Sequence, residues 1–433
     1  MNLENFYSKK ETIKSWNNTI ASKAVIIYPK NIDQLQKLIK TLKKKNKNYL
    51  IRTGSCSYDS KSINPDIGTY IISLQYLNKI LNIDEKKRVI DVEAGALIAD
   101  VIKSMKSKNV TLFSVPGGDK ITIGGAISAN TIGKDSSVTM SSFGDALLSL
   151  EVITNDGKIK KIKKNNNTLN KYVGAFGMEG IILKATLKVK SIQSQNLIIT
   201  TKILRNLKEI DKDLKKKSDY HYIQIDPFFR KEHFAVSFRG NSTKFKKNIY
   251  KNISLKSFRF EELIFKFLGF FINFFTWKLF YKLFFLLNNK VNKFMDIHNF
   301  HYSSKYKHLI PLICRNGLLD YEILIKKNFV LIIKDLIVLF RENKIYPMYI
   351  IVKKVYKSKR NYCYKFNENG YAVAISINKS HMKPNTFKLL QEFLKKNKLR
   401  MNLSKTDEKF INFKKTNNSL FLSLYKKMLL QNN

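Results

Sequence analysis

Three glycine steps, Gly117-Gly118, Gly124-Gly125 and Gly133-Lys134, fall between hydrophobic runs in residues 116–157, PGGDKITIGGAISANTIGKDSSVTMSSFGDALLSLEVITNDG. Small residues flank them (Ala126, Ser128, Ala129, Ser136, Ser137), so a long run of backbone carries no bulky side chain. Such a run lets amide N–H groups come close to an anion. A glycine-rich loop over a sheet would use the same residues, and this segment alone does not separate the two. Upstream, YLIRT leads into GSCSYDS, residues 54–60; downstream, YVGAFGMEGIILKATLKV spaces Gly174, Gly177 and Gly180 three apart before a β-branched run. Three small-residue elements in the N-terminal half predict one extended ligand touched at several points.

The elements that must hold these loops are legible in outline. Between residues 20 and 90, AVIIYP, YLIRT and YIISL read as strands, and IDQLQKLIKTLKKKN carries apolar residues at helical spacing. VIDVEAGALIADVIKSMKSKN repeats the strand-then-helix pattern, and EVITNDGKIKKI contains an Asn-Asp-Gly hairpin signal at Asn155-Asp156-Gly157. No GxGxxG follows the first strand, so the ligand is expected to be held by loops. After about residue 192 glycines become scarce and strands (HYIQIDPFF, HFAVSFRG, LDYEILI, YPMYIIVKKV, AVAISIN) mix with helix-like FVLIIKDLIVLFRENK and TFKLLQEFLKKN. The expected fold is α+β with two domains: residues 12–191 around the loops, 192–400 on an antiparallel sheet with covering helices, and 401–433 returning to the first domain.

Composition excludes several classes. The formal net charge is +46, but the basic residues are overwhelmingly Lys scattered through every segment, for example Lys43-Lys44-Lys45 and Lys215-Lys216-Lys217. That is the pattern of a solvated surface, and no zinc-finger, RRM or KH signature accompanies it, so no nucleic-acid partner is expected. Cys56, Cys314 and Cys363 are too few and too dispersed for a disulfide framework or a metal knuckle. His298 and His301 stand three apart without a placed third ligand, and no metal is expected. The N-terminus lacks an apolar core of the signal-peptide kind, which predicts a cytoplasmic protein.

Residues 263–287, LIFKFLGFFINFFTWKLFYKLFFLL, hold nine Phe with Trp277 and Tyr281, interrupted by Lys266, Lys278 and Lys282. The interruptions argue against a spanning helix. One reading is a pair of core helices over the second domain. The other is an amphipathic surface with Lys flanks seeking phosphates and aromatics entering a headgroup layer, that is, a peripheral membrane contact.

The order of the small-residue elements resembles the PCMH-type FAD-binding domain of the vanillyl-alcohol-oxidase superfamily. Trp16 in IKSWNN, Tyr58, TIGGAISANTIGKD, SSFGDALLSLEVITNDG, GLLDYEILI, Lys353 after YPMYIIV, Lys405 in NLSK and FLSLYKKMLL are similar, in order, to the decaprenylphosphoryl-β-D-ribose 2-oxidase group. The resemblance implies non-covalent FAD. Its first loop would comprise Arg52, Thr53, Gly54, Ser55, Cys56, Ser57 and Tyr58. Pro116, Gly117, Gly118, Thr122, Gly124 and Gly125 would form the second, followed by Ser128, Ala129 and Gly133. Gly177, Gly180, Ile181 and Ile182 would close on the dinucleotide. Amides around Gly54, Ser55, Ser57, Gly117, Gly118, Thr122 and Gly124 are then the natural phosphate donors, with the Ser57 and Thr122 hydroxyls beside them. Cys56 is a small loop residue at a position where distant members attach flavin covalently.

Alcohol oxidation by a flavin needs a proton acceptor or a charge that stabilises alkoxide. The resemblance puts Lys134, Lys353, Lys405 and Tyr58 in that role. It implies oxidation of a secondary alcohol of a sugar or polyol, including a lipid-phosphate-linked one, as the oxidase half of an epimerisation with a short-chain reductase partner. Departures are concentrated on the substrate side. Ile132 stands where the family has histidine, Asp320 and Glu322 where it has two glutamines, and Ala372, Ala374 and Asn402 where it has asparagine, cysteine and tyrosine. A Tyr-Pro-Arg-containing stretch is missing between Lys414 and Asn418. An aldonolactone-type oxidase, or a membrane-associated flavin-binding protein that has lost catalysis, are the alternatives.

Overall fold

The Ile32–Lys44 helix shows how the local sequence is used. Asn31 caps it by accepting from the Gln34 N–H at 2.9 Å, and Leu35, Leu38, Ile39 and Leu42, at helical spacing, form its buried face. In the computed structural model this helix packs on a four-stranded sheet ordered Ser8–Lys14, Ala21–Ile27, Tyr70–Ile72 and Tyr49–Ile51, whose last two pairings are parallel. The structure describes residues 3–58, 70–135, 137–164, 168–231, 234–244, 259–289, 291–302, 307–363, 366 and 368–405. Asp59, His233, the Lys414–Asn418 region and FLSLYKKMLL lie outside the described residues.

A second, antiparallel sheet is built around the Gly180–Ser191 strand, with Val89–Glu93 on one side and Leu147–Thr154 on the other. The Asn155-Asp156-Gly157 signal forms the turn between Leu147–Thr154 and Ile159–Lys163, with Gly157 at φ 82°. Both sheets share one hydrophobic core, in which Ile90, Val92, Leu150, Val152 and Leu183 are buried. The fold class expected from sequence, mixed helix and sheet, is the one observed.

The third sheet has eight antiparallel strands in the order Asn292–Asp296, Asn196–Leu204, Ala235–Ser242, Tyr220–Ile225, Tyr349–Val355, Gly370–Asn378, Leu318–Ile325 and Arg400–Met401. Its strands alternate with period two. Leu319, Tyr321, Ile323 and Ile325 face a core shared with the helices Leu207–Leu214, Phe329–Glu342 and Thr386–Lys396. Leu324, Val355 and Ala372 face the opposite way and cluster with Ile132 and Ala175 from the N-terminal half. Asp320, Glu322 and Lys353 share that second face, so the fold delivers charged groups to the seam with the glycine-rich loops.

Residues 263–287 correct one reading. They contribute to two helices, Arg259–Leu268 and Phe274–Leu287, but only Tyr281 and Phe285 are buried, and a broad apolar face is exposed. These are not core helices, because one side packs on the third sheet and nothing among the described residues covers the other. No helix of the described residues is long and apolar enough to cross a membrane.

Candidate active site

The first and second loops meet back to back. A Cβ added at Gly54 would stand 1.8 Å from the Lys120 carbonyl oxygen, so only glycine allows this contact. Ser55 follows in the left-handed region at φ 56°. The N–H groups of Gly54, Ser55, Ser57 and Gly118 find no protein acceptor among the described residues, which leaves a set of donors with no partner. Open space surrounds the Cα of Gly177, at φ 84°, and a Cβ at Gly125 would approach only the Thr122 Oγ1.

Other expected donors are already engaged. The Gly124 N–H donates to Ala94 O at 2.8 Å and is withdrawn from the donor set, because the Ile123–Ser128 helix is tied by its first turn to Ala94 and Ala96. Thr122 Oγ1 accepts from the Gly125 N–H at 3.2 Å as the helix cap, leaving its own proton to donate. Arg52 is buried and turned toward Lys14 O at 2.6 Å, and Thr53 Oγ1 accepts from Leu74 N–H. Gly133 is wedged against the Ser114–Val115 backbone, which Asp135 holds by accepting both N–H groups. Pro116 is buried, Ser128 O accepts from Phe176 N–H at 3.0 Å, Ala129 N–H donates to Gly125 O at 3.0 Å, and the Ile181 and Ile182 side chains lie in the core. Cys56 is a free, half-buried thiol donating to Gly54 O at 3.3 Å.

A buried phenol missed by the sequence reading stands beside these loops. Tyr302 is 2% exposed, its hydroxyl has no hydrogen-bond partner among the described residues, and it feels the charges of Asp119 in the second loop and Cys56 in the first. Burial, then Asp119 and Cys56, push its pKa well above the ordinary value, so it is a neutral donor awaiting an acceptor.

Across the seam, Glu322 is fully buried on the Leu318–Ile325 strand. Its Oε1 lies 3.3 Å from both Lys353 Nζ and Lys405 Nζ, and its Oε2 accepts from Asn402 Nδ2 at 2.5 Å. Burial opposes its charge, but Lys353 and then Lys405 outweigh it and hold the carboxyl at about 2. Lys353 also donates to Ile132 O at 3.2 Å, tying the third sheet to the segment after the second loop. Asp320 accepts from Tyr349 OH at 3.3 Å and from Ser376 Oγ. Tyr58 reaches the same neighbourhood from the first loop: its pKa is driven well up by burial and by Asp320, Tyr349 and Glu322, and its ring packs on Trp16 at 5.0 Å.

Of the four residues expected to carry chemistry, Lys353 and Lys405 therefore meet on Glu322, while the Tyr58 ring packs on Trp16. Lys134 does not join the Glu322 ion pairs; its ammonium lies over the rings of Tyr222 and Phe300, at 4.7 and 4.8 Å. Glu322 and Asp320 were legible only as departures. The available signal was two carboxylates at period two in the otherwise apolar LDYEILI, which puts both on one sheet face. Asp226, without an assigned role from sequence, holds its own turn through Phe228 N–H and Arg230 Nε.

Residues 23–163 match the family described as FAD binding domain. The chain contains an FAD-binding domain. Its cofactor is FAD, and the residues present fit it: loop amides without an acceptor among the described residues, and the Tyr302 hydroxyl buried near Asp119 and Cys56 of the same loops. The chain is 28% identical over 145 residues to the decaprenylphosphoryl-β-D-ribose oxidase of Mycolicibacterium smegmatis, a match covering 33% of this chain and 31% of that protein. It is 21% identical over 220 residues to bovine L-gulonolactone oxidase, covering 50% and 48%. These matches span from a third to a half of the relatives' length. In fold, the chain superposes on cholesterol oxidase from Brevibacterium sterolicum with a TM-score of 0.70 at 12% identity, covering 91% of this chain and 84% of that one. The FAD-binding domain thus sits within a fold shared over nearly the whole chain.

Proposed function

We propose that the protein is an FAD-dependent oxidoreductase that oxidises a secondary alcohol of a sugar or polyol. The observation that carries this reading is the meeting of Lys353 and Lys405 on buried Glu322 at the seam, where Lys353 also bonds to Ile132 O after the second glycine-rich loop. Bound FAD supplies the hydride acceptor. The loop amides and the Thr122 hydroxyl would hold its phosphates, and Tyr302 would donate to it from the buried side.

The chain's own groups divide the remaining work. Lys405 brings an ammonium group to the seam, which stabilises negative charge developing on a substrate oxygen. Glu322 is too weak a base to take the alcohol proton, since its charge is held by two lysines. Its task is to fix the two ammonium groups in place. Lys405, the more exposed of the two, is the group positioned to meet substrate. The apolar wall of Ile132, Leu324 and Leu403 excludes water from this seam.

The name of the Mycolicibacterium relative favours a lipid-phosphate-linked sugar as substrate; the name of the bovine relative favours an aldonolactone. Anaerobic bleaching of the flavin absorbance separates them: reduction by free lactones and not by pentose or polyol alcohols would select the second. Failure of every alcohol and lactone to bleach a correctly loaded protein would leave a flavin-binding protein without oxidase activity, the reading that Ile132 in place of histidine supports.

A further inference from the structure

The helices Arg259–Leu268 and Phe274–Leu287 present an apolar face to solvent that the active site does not use. At the turn between them Phe267, Phe270 and Phe275 are 62%, 66% and 77% exposed. Along the second helix Phe275, Leu279, Leu283 and Leu286 continue the face at helical spacing. The opposite side is anchored: Tyr281 donates to Met348 O at 2.8 Å and accepts from Gln224, and Phe285 is buried against Val236. Such a concentration of exposed aromatics on a pinned helix pair marks a surface that meets another apolar phase.

Charge selects that phase. Residues 263–287 carry three Lys and no acidic residue, in a chain of net charge +46. Beside the second helix lies a cavity of about 210 Å³ lined by Arg230, Lys278 and Arg341 between the rings of Phe228, Phe274 and Tyr346. Beside it the buried Arg230 Nη2 has no hydrogen-bond partner among the described residues, although Arg230 Nε is paired with Asp226. Guanidinium and ammonium groups at the border of an aromatic face match lipid phosphates at the border of acyl chains. Helices of 10 and 14 residues are about 15 and 21 Å long, too short to span a bilayer but suited to lie in its interface.

We propose that this face seats the protein on an anionic lipid bilayer, with Phe267, Phe270, Phe271 and Phe275 entering the headgroup boundary and Lys278, Arg230 and Arg341 meeting lipid phosphate. The inference stands apart from the catalytic reading, since it uses none of the same residues. The test is flotation of the FAD-loaded full chain with vesicles of phosphatidylcholine alone or mixed with phosphatidylglycerol. Wild type should float with the mixed vesicles, more weakly with phosphatidylcholine, and a fraction should stay bound at about 0.5 M salt, where charge contacts are screened. Serine at all four Phe positions should cut binding by roughly tenfold or more while FAD content is unchanged. Phe275→Ser alone decides the matter where the fourfold variant does not fold. Lys278→Glu with Lys282→Glu should remove the preference for phosphatidylglycerol. No flotation of wild type, or equal flotation of wild type and Phe variants, would overturn the proposal. So would a dimer in sedimentation that the Phe variants abolish without any vesicle binding, which would assign the face to a second copy of the chain.

Discussion

Glu322 and Lys353 form an ion pair at 3.3 Å although their strands are not neighbours: the Gly370–Asn378 strand runs between them. Two strand spacings, roughly 10 Å, separate the backbones. The residues opposite Lys353 and Glu322 on the intervening strand are Ala372 and Ala374. Their small side chains leave room for the longer ones to meet above them.

Removing one partner of this pair leaves the other charge buried. Lys353→Met should lower unfolding free energy by about 3 kcal/mol at pH 7, and adding Glu322→Gln should recover most of it. Chemical denaturation of the two variants measures this; no recovery in the double variant would mean that Lys353 acts through its bond to Ile132 O instead.

Lys405→Ala should slow flavin reduction by substrate by roughly tenfold or more, while Lys396→Ala, on the exposed side of the Thr386–Lys396 helix, leaves it unchanged. Rapid-mixing absorbance under anaerobic conditions gives both rates. Similar rates would remove Lys405 from the site.

Tyr302→Phe removes a hydroxyl that has no partner among the described residues, so the apo protein should lose no stability. FAD affinity should fall by about fivefold, the value of one hydrogen bond of roughly 1 kcal/mol. Flavin fluorescence titration reads the affinity, and unchanged binding would place Tyr302 away from the cofactor.

At Gly54, a methyl group would strike the Lys120 carbonyl, which is backbone and cannot swing aside. Gly54→Ala should therefore separate the loops and abolish FAD retention through gel filtration, whereas Gly125→Ala, which meets only the Thr122 hydroxyl, should keep the fold.

His221 sits against Ser237 Oγ at 3.1 Å and Asp213 at 3.3 Å, and burial, then Lys216, lower its pKa from 6.5 to about 4. The unfolded chain binds the proton first, so the contribution is complete above pH 6.5 and is lost as pH falls toward 4. It amounts to on the order of 3 kcal/mol. His221→Gln should flatten the stability profile across that window.

The sequence by itself determined the mixed fold and the close approach of the first two glycine-rich loops, because both are written in local terms. Apolar periodicity defined Ile32–Lys44 and Leu318–Ile325, and glycine is the residue that permits the Gly54 approach to Lys120. Tertiary structure alone decided which groups meet. Glu322 lies far from Lys353 and Lys405 in sequence, and only the strand order and the two alanines between them bring the charges together. Likewise, hydrophobicity described residues 263–287 but not which side would be covered; that depended on a sheet that buries Tyr281 and Phe285, with no element among the described residues lying over Phe275. Local spacing fixes the face on which a side chain stands, whereas its partner is set by chain segments whose proximity costs loop-closure entropy and is repaid only by the assembled core.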